Sequence, residues 1–109
     1  MTVELPEGIA AYFAADATKD ADRLVQCFIP EAEVKDEGKV HCGWEAIRAW
    51  KAAASTAYTY TVEPFAIKIQ DDRTVVTSRL EGDFPGSPVD LHYFFTLDGD
   101  RIATLEIIP

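Results

Sequence analysis

Cysteine is scarce in this chain of 109 residues, which has only Cys27 and Cys42. Two cysteines at this spacing are too few and too irregularly placed for a disulfide framework, a zinc cluster or a CxxC redox pair. We therefore expect two free thiols, with Cys27 buried beside Phe28. The sequence also lacks EF-hand carboxylate spacing, an HExxH pair, a glycine-rich phosphate loop and a GxSxG elbow. No metal and no cofactor are expected.

Basic residues are also few. The chain has 10 Lys and Arg against 19 Asp and Glu, which gives a net charge of −9. Because negative charge repels phosphate backbones and anionic lipids, we expect no nucleic-acid partner and no membrane partner. No apolar run approaches the ~20 residues that cross a bilayer. The first residues, MTVELPEGIA, lack the basic and apolar regions of a signal peptide. We expect a soluble, cytoplasmic protein.

Apolar residues, in contrast, make up 48% of the chain and aromatic residues 11%, which is enough to close one hydrophobic core. No repeat, linker or low-complexity segment divides the sequence. The length also suits one compact domain. We therefore predict a single domain over residues 1–109.

The first half of the chain predicts three helices. Pro6 suits the first turn of a helix over about residues 6–17. Asp20 is a suitable N-cap for a second helix over about residues 21–28. The third helix begins after Gly43 and reaches about residue 55. Its spacing turns three apolar side chains toward the core: Trp44, Ile47 and Trp50.

From Tyr58 onward the sequence alternates with period two and is rich in β-branched and aromatic residues, which predicts strands. Pro64 indicates a bulge or an edge strand. Turn residues at 71–72, 85–87 and 98–100 divide the segment into hairpins and so predict an antiparallel meander. A meander bent by bulges can wrap around the third helix and leave a pocket on its concave face. The predicted class is α+β.

Four sequence features follow one another in a distinctive order: Tyr12, 28-FIPEAEVKD-36, the helix start 43-GWEAI-47 and the closing segment 95-FTLDGDRI-102. In this order they resemble the nuclear transport factor 2-like (NTF2-like) superfamily, and within it the SnoaL-like polyketide cyclases and ketosteroid isomerases. The likeness covers nearly the whole chain. It implies a cone in which three N-terminal helices pack in the concave face of a strongly curved antiparallel sheet with a mixed edge.

The same resemblance implies roles for three residues. Tyr12 corresponds to the isomerase tyrosine that donates a hydrogen bond to the developing enolate, and Asp36 to the aspartate that moves the proton. Where the isomerases have a neutral carboxylic acid on the third long strand, this chain has Tyr93, so strict steroid isomerase activity is not implied. Removing a proton beside a carbonyl needs a positioned base, and the resulting oxyanion needs hydrogen-bond donors in a water-poor cavity.

An apolar lining would strengthen those hydrogen bonds relative to water. The residues expected to provide it are aromatic: Trp44, Trp50, Phe65 and Phe95. His41 precedes Gly43 and is expected at the rim, where it could orient Asp36 or a ligand. The resulting hypothesis is a cofactor-free isomerase or cyclase that acts on a small hydrophobic carbonyl compound.

Each of these residues also has a structural alternative. Tyr12, on the apolar face of a helix, is typical of a core tyrosine. Asp36 lies in an acidic segment with Glu31, Glu33 and Glu37, which is typical of a solvated loop. The alternative function is a non-catalytic module that binds a small apolar ligand or acts through a dimer interface. Convergence of Asp36 and Tyr12 on one enclosed cavity separates the two functions.

Polar residues alternate along 75-VVTSRLEGDF-84 and so form a stripe on one face of the strand: Thr77, Arg79, Glu81 and Asp83. The resemblance implies dimerisation through this outer sheet face, and a mixed polar stripe suits a moderately wet, symmetric interface. His92 alternates with Tyr93 and is expected on the outer face too. We therefore expect a homodimer, with a plain solvent-facing stripe as the alternative.

Overall fold

The structure, a computed structural model, describes residues 4–109, with the side chains of residues 55 and 57 excepted. Its helices and strands, in chain order, are α1 (Glu7–Ala17), α2 (Ala21–Val25), β1 (Phe28–Asp36), β2 (Lys39–Cys42), α3 (Gly43–Ala57), β3 (Tyr60–Gln70), β4 (Arg73–Gly82), β5 (Val89–Asp98) and β6 (Arg101–Ile108). Asp20 caps α2 as predicted, because its carboxylate accepts a hydrogen bond from the Arg23 backbone N–H at 3.0 Å.

The strands form one six-stranded sheet in the order β2-β1-β6-β5-β4-β3. Strands β3 to β6 make the predicted antiparallel meander. Strand β1 pairs with β6 in parallel and with β2 in antiparallel fashion, and this parallel pairing makes the sheet mixed. The predicted α+β class, with three helices packed against a curved mixed sheet, is confirmed.

Irregular strand pairing bends this sheet. The register shifts between Pro64 and Ala66 in β3 and between Thr96 and Leu97 in β5. An extra residue on one strand increases the local twist and bends the strand, so the sheet can curve around the helices. Strand β3 lies at the edge of the sheet, where a proline interrupts the fewest ladder hydrogen bonds. The interpretation of Pro64 as a bulge on an edge strand is thus correct.

The acidic segment around Asp36 forms a β-hairpin between β1 and β2 rather than a solvated loop. Glu37 and Gly38 have φ values of 54° and 77°, the left-handed pair that closes a two-residue hairpin between twisted strands. Lys39–Cys42 then returns along β1 as β2. The hairpin leads directly into α3, which begins at Gly43.

The second helix is shorter than predicted. It ends at Val25 because Phe28 is already paired with β6. The short helix leaves Cys27 half-buried rather than buried, with its sulfur 3.8 Å from the Arg23 carbonyl oxygen. Burial nevertheless raises the pKa of the Cys27 thiol. Cys27 and Cys42 are both free.

The hydrophobic core fills the space between the helices and the concave face of the sheet. Tyr12 packs edge-on against Phe28 and Phe95, with ring centroids 5.9 and 5.6 Å away, an arrangement worth about 0.5–1.5 kcal/mol per pair beyond burial. Trp44 Nε1 donates a hydrogen bond to the Phe28 carbonyl oxygen at 3.0 Å. This bond attaches the first turn of α3 to the first residue of β1.

Gly8 marks a position in α1 that has no room for a larger residue. A Cβ added there would lie far inside van der Waals contact with the carbonyl oxygen of Asp100, a backbone atom in the β5–β6 turn. Helix propensity alone predicts that Gly8→Ala stabilises the protein by about 1 kcal/mol. We expect instead that overpacking lowers the free energy of unfolding by about 1–3 kcal/mol, as measured by chemical denaturation.

Ala14→Gly is the matched control, because Ala14 is exposed on the same helix and only propensity acts there. It should cost about 1 kcal/mol. A Gly8→Ala protein more stable than the parent would contradict the packing described for α1.

Candidate active site

A cavity of about 720 Å³ opens between α3 and the concave face of the sheet. This volume lies within the range of roughly 300–1,000 Å³ that is usual for small-molecule sites. The cavity is partly open to solvent and is walled by polar residues of the β1–β2 hairpin on one side. Its other walls are mainly apolar: Leu80, Phe84, Val89, Leu91 and Ile107. Such a site suits a small, largely apolar ligand.

Asp36 is the last residue of β1 and lines this cavity. Because side chains alternate along a strand, Asp36 faces the same side as the buried Ala32 and Val34. Its Oδ2 accepts a hydrogen bond from Trp50 Nε1 at 3.0 Å. This bond positions the carboxylate and leaves Oδ1 for a proton or a ligand.

His41 and Trp50 also line the cavity, where the sequence analysis expected them. His41 lies opposite Val34 in the β1–β2 hairpin, so both side chains share a face of the sheet. The centroids of the His41 and Trp50 rings are 5.9 Å apart. These two rings and Asp36 together form one end of the site.

Tyr93 reaches the cavity from β5 and is only 4% exposed. Burial, and to a smaller extent the negative charge of Asp16, raises the pKa of Tyr93 well above its usual value of 10.0. The phenol is therefore a hydrogen-bond donor at neutral pH rather than a base. Asp36 and Tyr93, two of the three residues implied as catalytic, thus meet in one cavity.

Tyr60 is a second phenol in the cavity that the sequence analysis did not select. Burial and the negative charges of Asp16 and Asp36 raise the pKa of Tyr60 to about 12, so it too is a donor at neutral pH. The sequence did contain a signal for Tyr60. Tyr60 and Val62 are two residues apart at the start of β3 and must share a face, so an inward-facing Val62 predicts an inward-facing Tyr60.

Tyr12 lies in the core and not in the cavity lining. It is fully buried on α1, and its hydroxyl has no hydrogen-bond partner among residues 4–109. Burial, then the negative charge of Asp16, raises the pKa of Tyr12. The structure corrects the expectation that Tyr12 faces the pocket with Asp36: helix α1 turns this face toward Phe28 and Phe95, and the phenol is sealed among the core rings.

Three of the aromatic residues expected in the lining lie elsewhere. Phe95 is fully buried in the core, two residues beyond Tyr93 on β5. Trp44 is also outside the lining, whereas Trp50 is part of it. The two residues are six positions apart on α3 and therefore point about 120° apart, since each residue turns the helix by about 100°. Phe65 is 45% exposed because it is an odd number of residues from Tyr60 and Val62, which face the cavity and the core, and so it lies on the outer face of β3.

A buried ion pair lies next to the cavity and was not predicted. Lys51 Nζ is 2.8 Å from Asp16 Oδ1, and the two side chains are only 6% and 5% exposed. Lys51 also lines the cavity, and its Nζ lies 4.5 Å from the centroid of the Trp50 ring. No local pattern marked these residues, because charged side chains are common on amphipathic helices and most of them face solvent.

Within residues 4–109, no group of three or more His, Cys, Asp or Glu side chains is arranged to hold a metal ion. The helices in the same range are also too short or too polar for any of them to cross a membrane.

Three helices packed against a curved, mixed six-stranded sheet define the NTF2-like α+β fold class. Residues 9–105 match the SnoaL-like domain family. Because this match covers most of the chain, the protein belongs to that family.

Solved structures agree with this assignment. A protein from Sinorhizobium meliloti that has been proposed to be a polyketide cyclase is 44% identical, with 95% of each chain covered and a TM-score of 0.90. A Catenulispora acidiphila protein with a ketosteroid isomerase-like fold, in complex with trimethylamine, is 19% identical over 97% of this chain and 87% of its own, with a TM-score of 0.85. This second likeness shows the fold alone.

An epoxide hydrolase/cyclase-like enzyme of pyran ring formation in the polyether salinomycin is 25% identical to this chain. The match covers 94% of this chain and 87% of the enzyme, with a TM-score of 0.80. A comparison with curated protein sequences finds no match.

Tyr12→Phe tests whether the Tyr12 hydroxyl is structurally needed. Because an unpaired buried polar group costs about 1–3 kcal/mol, its removal should leave the free energy of unfolding unchanged or raise it by about 1 kcal/mol. Tyr12→Ala is the comparison, since loss of the buried ring should cost about 3–5 kcal/mol. Chemical denaturation measures both variants. A marked loss of stability in Tyr12→Phe would mean that the hydroxyl has a partner.

Proposed function

We propose that this SnoaL-like domain is a cofactor-free isomerase or cyclase that moves a proton next to the carbonyl group of a small hydrophobic substrate. The observation that carries the proposal is that Asp36, held by Trp50 Nε1 at 3.0 Å, lines one cavity with Tyr93. A positioned carboxylate and neutral hydrogen-bond donors are the groups that enolisation requires.

In the proposed reaction, an oxygen of the Asp36 carboxylate takes a proton from the carbon beside the carbonyl group. The electron pair of that C–H bond forms the C=C bond of an enolate, and the carbonyl π electrons move to oxygen. Tyr93 and Tyr60 donate hydrogen bonds to that oxygen. In a substrate with a β,γ C=C bond, return of the proton to the γ carbon completes an isomerisation. Attack of the enolate carbon on a second carbonyl carbon of the same molecule closes a ring, and the alkoxide so formed takes the proton from Asp36. Neither outcome changes the oxidation state of the substrate overall.

The apolar walls support this chemistry. Leu80, Leu91 and Ile107 lower the polarity around the reacting atoms, and a hydrogen bond to an oxyanion is stronger in such surroundings than in water. The names of two relatives, polyketide cyclase and epoxide hydrolase/cyclase-like enzyme, support ring closure as one outcome.

Epoxide hydrolysis has less support. In this superfamily it calls for an Asp, Arg, Asp arrangement. Arg79 donates a hydrogen bond to Asp90 at 3.2 Å on the opposite face of the sheet. Among residues 4–109, the lining of the cavity includes no arginine.

A second candidate function is binding without turnover. The position of Tyr12 in the core and the partly open cavity both favour it, because the expected convergence of Asp36 and Tyr12 on one enclosed cavity is not found and enolate chemistry benefits when water is excluded. The domain would then hold a small apolar ligand in the same cavity.

Asp36→Asn separates the two functions. We expect it to lower the rate of α-proton exchange into deuterated water by about 100-fold or more, because the amide cannot accept the proton. Nuclear magnetic resonance measures the exchange on a panel of small cyclic ketones and linear polyketones, and circular dichroism confirms the fold.

Glu33→Gln is the control, because Glu33 is exposed and lies on the outward face of the same strand. An Asp36→Asn rate equal to that of the parent would reject the role of Asp36. A parent protein that binds members of the panel and exchanges no proton would favour the binding function.

We also propose that the protein is a homodimer formed through the outer face of the sheet. Strands β3, β4 and β5 form a shallow hollow of about 310 Å³ there, with Val75 and Phe94 in its walls. Beside them, Thr77 Oγ1 and His92 Nδ1 are 3.0 Å apart. An apolar centre with polar neighbours suits a wet, symmetric interface.

Arg79→Glu tests the dimer. It places a second acidic side chain next to Asp90, where the parent has an ion pair, and a two-fold axis would repeat the repulsion. We expect the parent to sediment as a dimer at micromolar concentration and the variant to dissociate. Lys19→Glu, an exposed charge reversal after α1, should have no effect. A monomeric parent would contradict the proposal.

A further inference from the structure

We infer that Lys51 acts together with Tyr93 and Tyr60 to bind and stabilise the oxyanion in this cavity, and that the substrate class is therefore a carbonyl compound whose oxygen reaches the Lys51 ammonium. This inference rests on the proposed proton transfer by Asp36. It nevertheless concerns a different residue, and its test does not need turnover.

The geometry places Lys51 at the cavity wall. Lys51 lines the cavity although its side chain is only 6% exposed. Its Nζ donates one hydrogen bond, to Asp16 Oδ1 at 2.8 Å, which is the acceptor found for it within residues 4–109. An ammonium has three N–H donors. Two donors are therefore left for the ring faces nearby and for a ligand in the cavity.

Two aromatic rings hold the ammonium in place. Nζ lies 4.5 Å from the centroid of the Trp50 ring and 5.7 Å from that of Tyr12. Ring faces attract a cation but accept no full hydrogen bond from it. Because Trp50 also positions Asp36 through its Nε1, the base and the cation are both fixed by the same side chain.

The charges of Asp16, Lys51 and Asp36 favour an oxyanion that is formed in the cavity by proton transfer over an anion that binds from solution. Before proton transfer, Asp16 balances Lys51 and the negative charge at the site belongs to Asp36. When Asp36 takes the proton, that charge moves to the enolate oxygen. The total charge of the buried group does not change, so the step creates no uncompensated charge. Lys51 then stabilises the enolate more than the carbonyl compound, which is the condition for catalysis.

Tyr12 is replaced in this arrangement. The resemblance implied that the Tyr12 phenol donates to the enolate, yet its hydroxyl is buried among the core rings. Lys51 lies next to Tyr12, because its Nζ is 5.7 Å from the centroid of the Tyr12 ring, and Lys51 lines the cavity. A charged donor therefore lines the cavity where the phenol does not.

The test uses para-nitrophenolate as an enolate analogue and para-nitroanisole as its neutral match. Both are titrated into Asp36→Asn protein, whose amide mimics the protonated acid of the intermediate. Adding Lys51→Met should weaken phenolate binding by about 10- to 100-fold, since a hydrogen bond to a charged group is lost. Binding of para-nitroanisole should change by about twofold or less, because it carries no charge.

Two controls keep the test decisive. Lys51→Met leaves Asp16 buried without a partner and can unfold the protein, so the comparison is repeated with Asp16→Asn present throughout, with and without Lys51→Met. Lys35→Met removes an exposed lysine that lies one residue before Asp36 on β1 and so points away from the cavity. It should change phenolate binding by about twofold or less, because exposed charges contribute little.

Equal weakening of both probes by Lys51→Met, or no weakening of phenolate binding, would overturn the inference. If phenolate binding requires Lys51 while Asp36→Asn leaves proton exchange unchanged, the oxyanion site stands and the proposed function fails. If proton exchange requires Asp36 while phenolate binding ignores Lys51, the proposed function stands and the role of Lys51 fails.

Discussion

Helix α3 is the element on which both the core and the cavity depend. Its Ile47 is fully buried against the sheet, and three polar side chains attach it to its neighbours. Trp44 binds the start of β1, Trp50 binds Asp36 at the end of β1, and Lys51 binds Asp16 on α1. Because the helix turns by about 100° per residue, these side chains leave it in different directions. A small rotation of α3 would therefore break all three contacts together.

The same contacts show that this fold buries polar groups at some expense of stability. Lys51 and Asp16 are nearly inaccessible to solvent, and a buried ion pair often contributes less than a well-packed apolar pair would. Tyr12 and Ser78 each bury a hydroxyl that has no partner among residues 4–109. Groups of this kind concentrate where a protein keeps a site ready for a ligand. The ion pair and Tyr12 lie beside or behind the cavity, and the opposite face of the sheet has exposed ion pairs instead.

The periodic patterns in the sequence were sufficient for most of the helices and strands. Alternation from Tyr58 onward predicted the strands of the meander and placed His92 on the face opposite Tyr93, because strand geometry turns every second side chain to the same side. Turn residues located the hairpins of the meander. The resemblance added the order of helices and strands, which no periodicity reveals. It also pointed to Asp36, whose role depends on a partner, Trp50, fourteen residues away.

The expectations were wrong where side-chain directions were not followed along an element, and they missed contacts between residues that are distant in the chain. Phe65 was expected in the apolar lining, yet it is an odd number of residues from Tyr60 and Val62 and so lies on the opposite face of β3. Trp44 and Trp50 were assigned to one surface although a six-residue separation turns them apart. Lys51 had no signal, since its partner Asp16 is 35 residues away and nothing local distinguishes a buried lysine from an exposed one.

Local chemistry therefore specified most of the secondary structure and the presence of a hydrophobic core. These features depend on neighbouring residues, whose side-chain directions follow from helix and strand periods. The tertiary structure alone decided which phenols reach the cavity, which aromatic rings are sealed in the core and that a buried cation borders the site. Those outcomes depend on how α3 docks on a bent sheet, and docking is set by contacts between residues that are far apart in the chain.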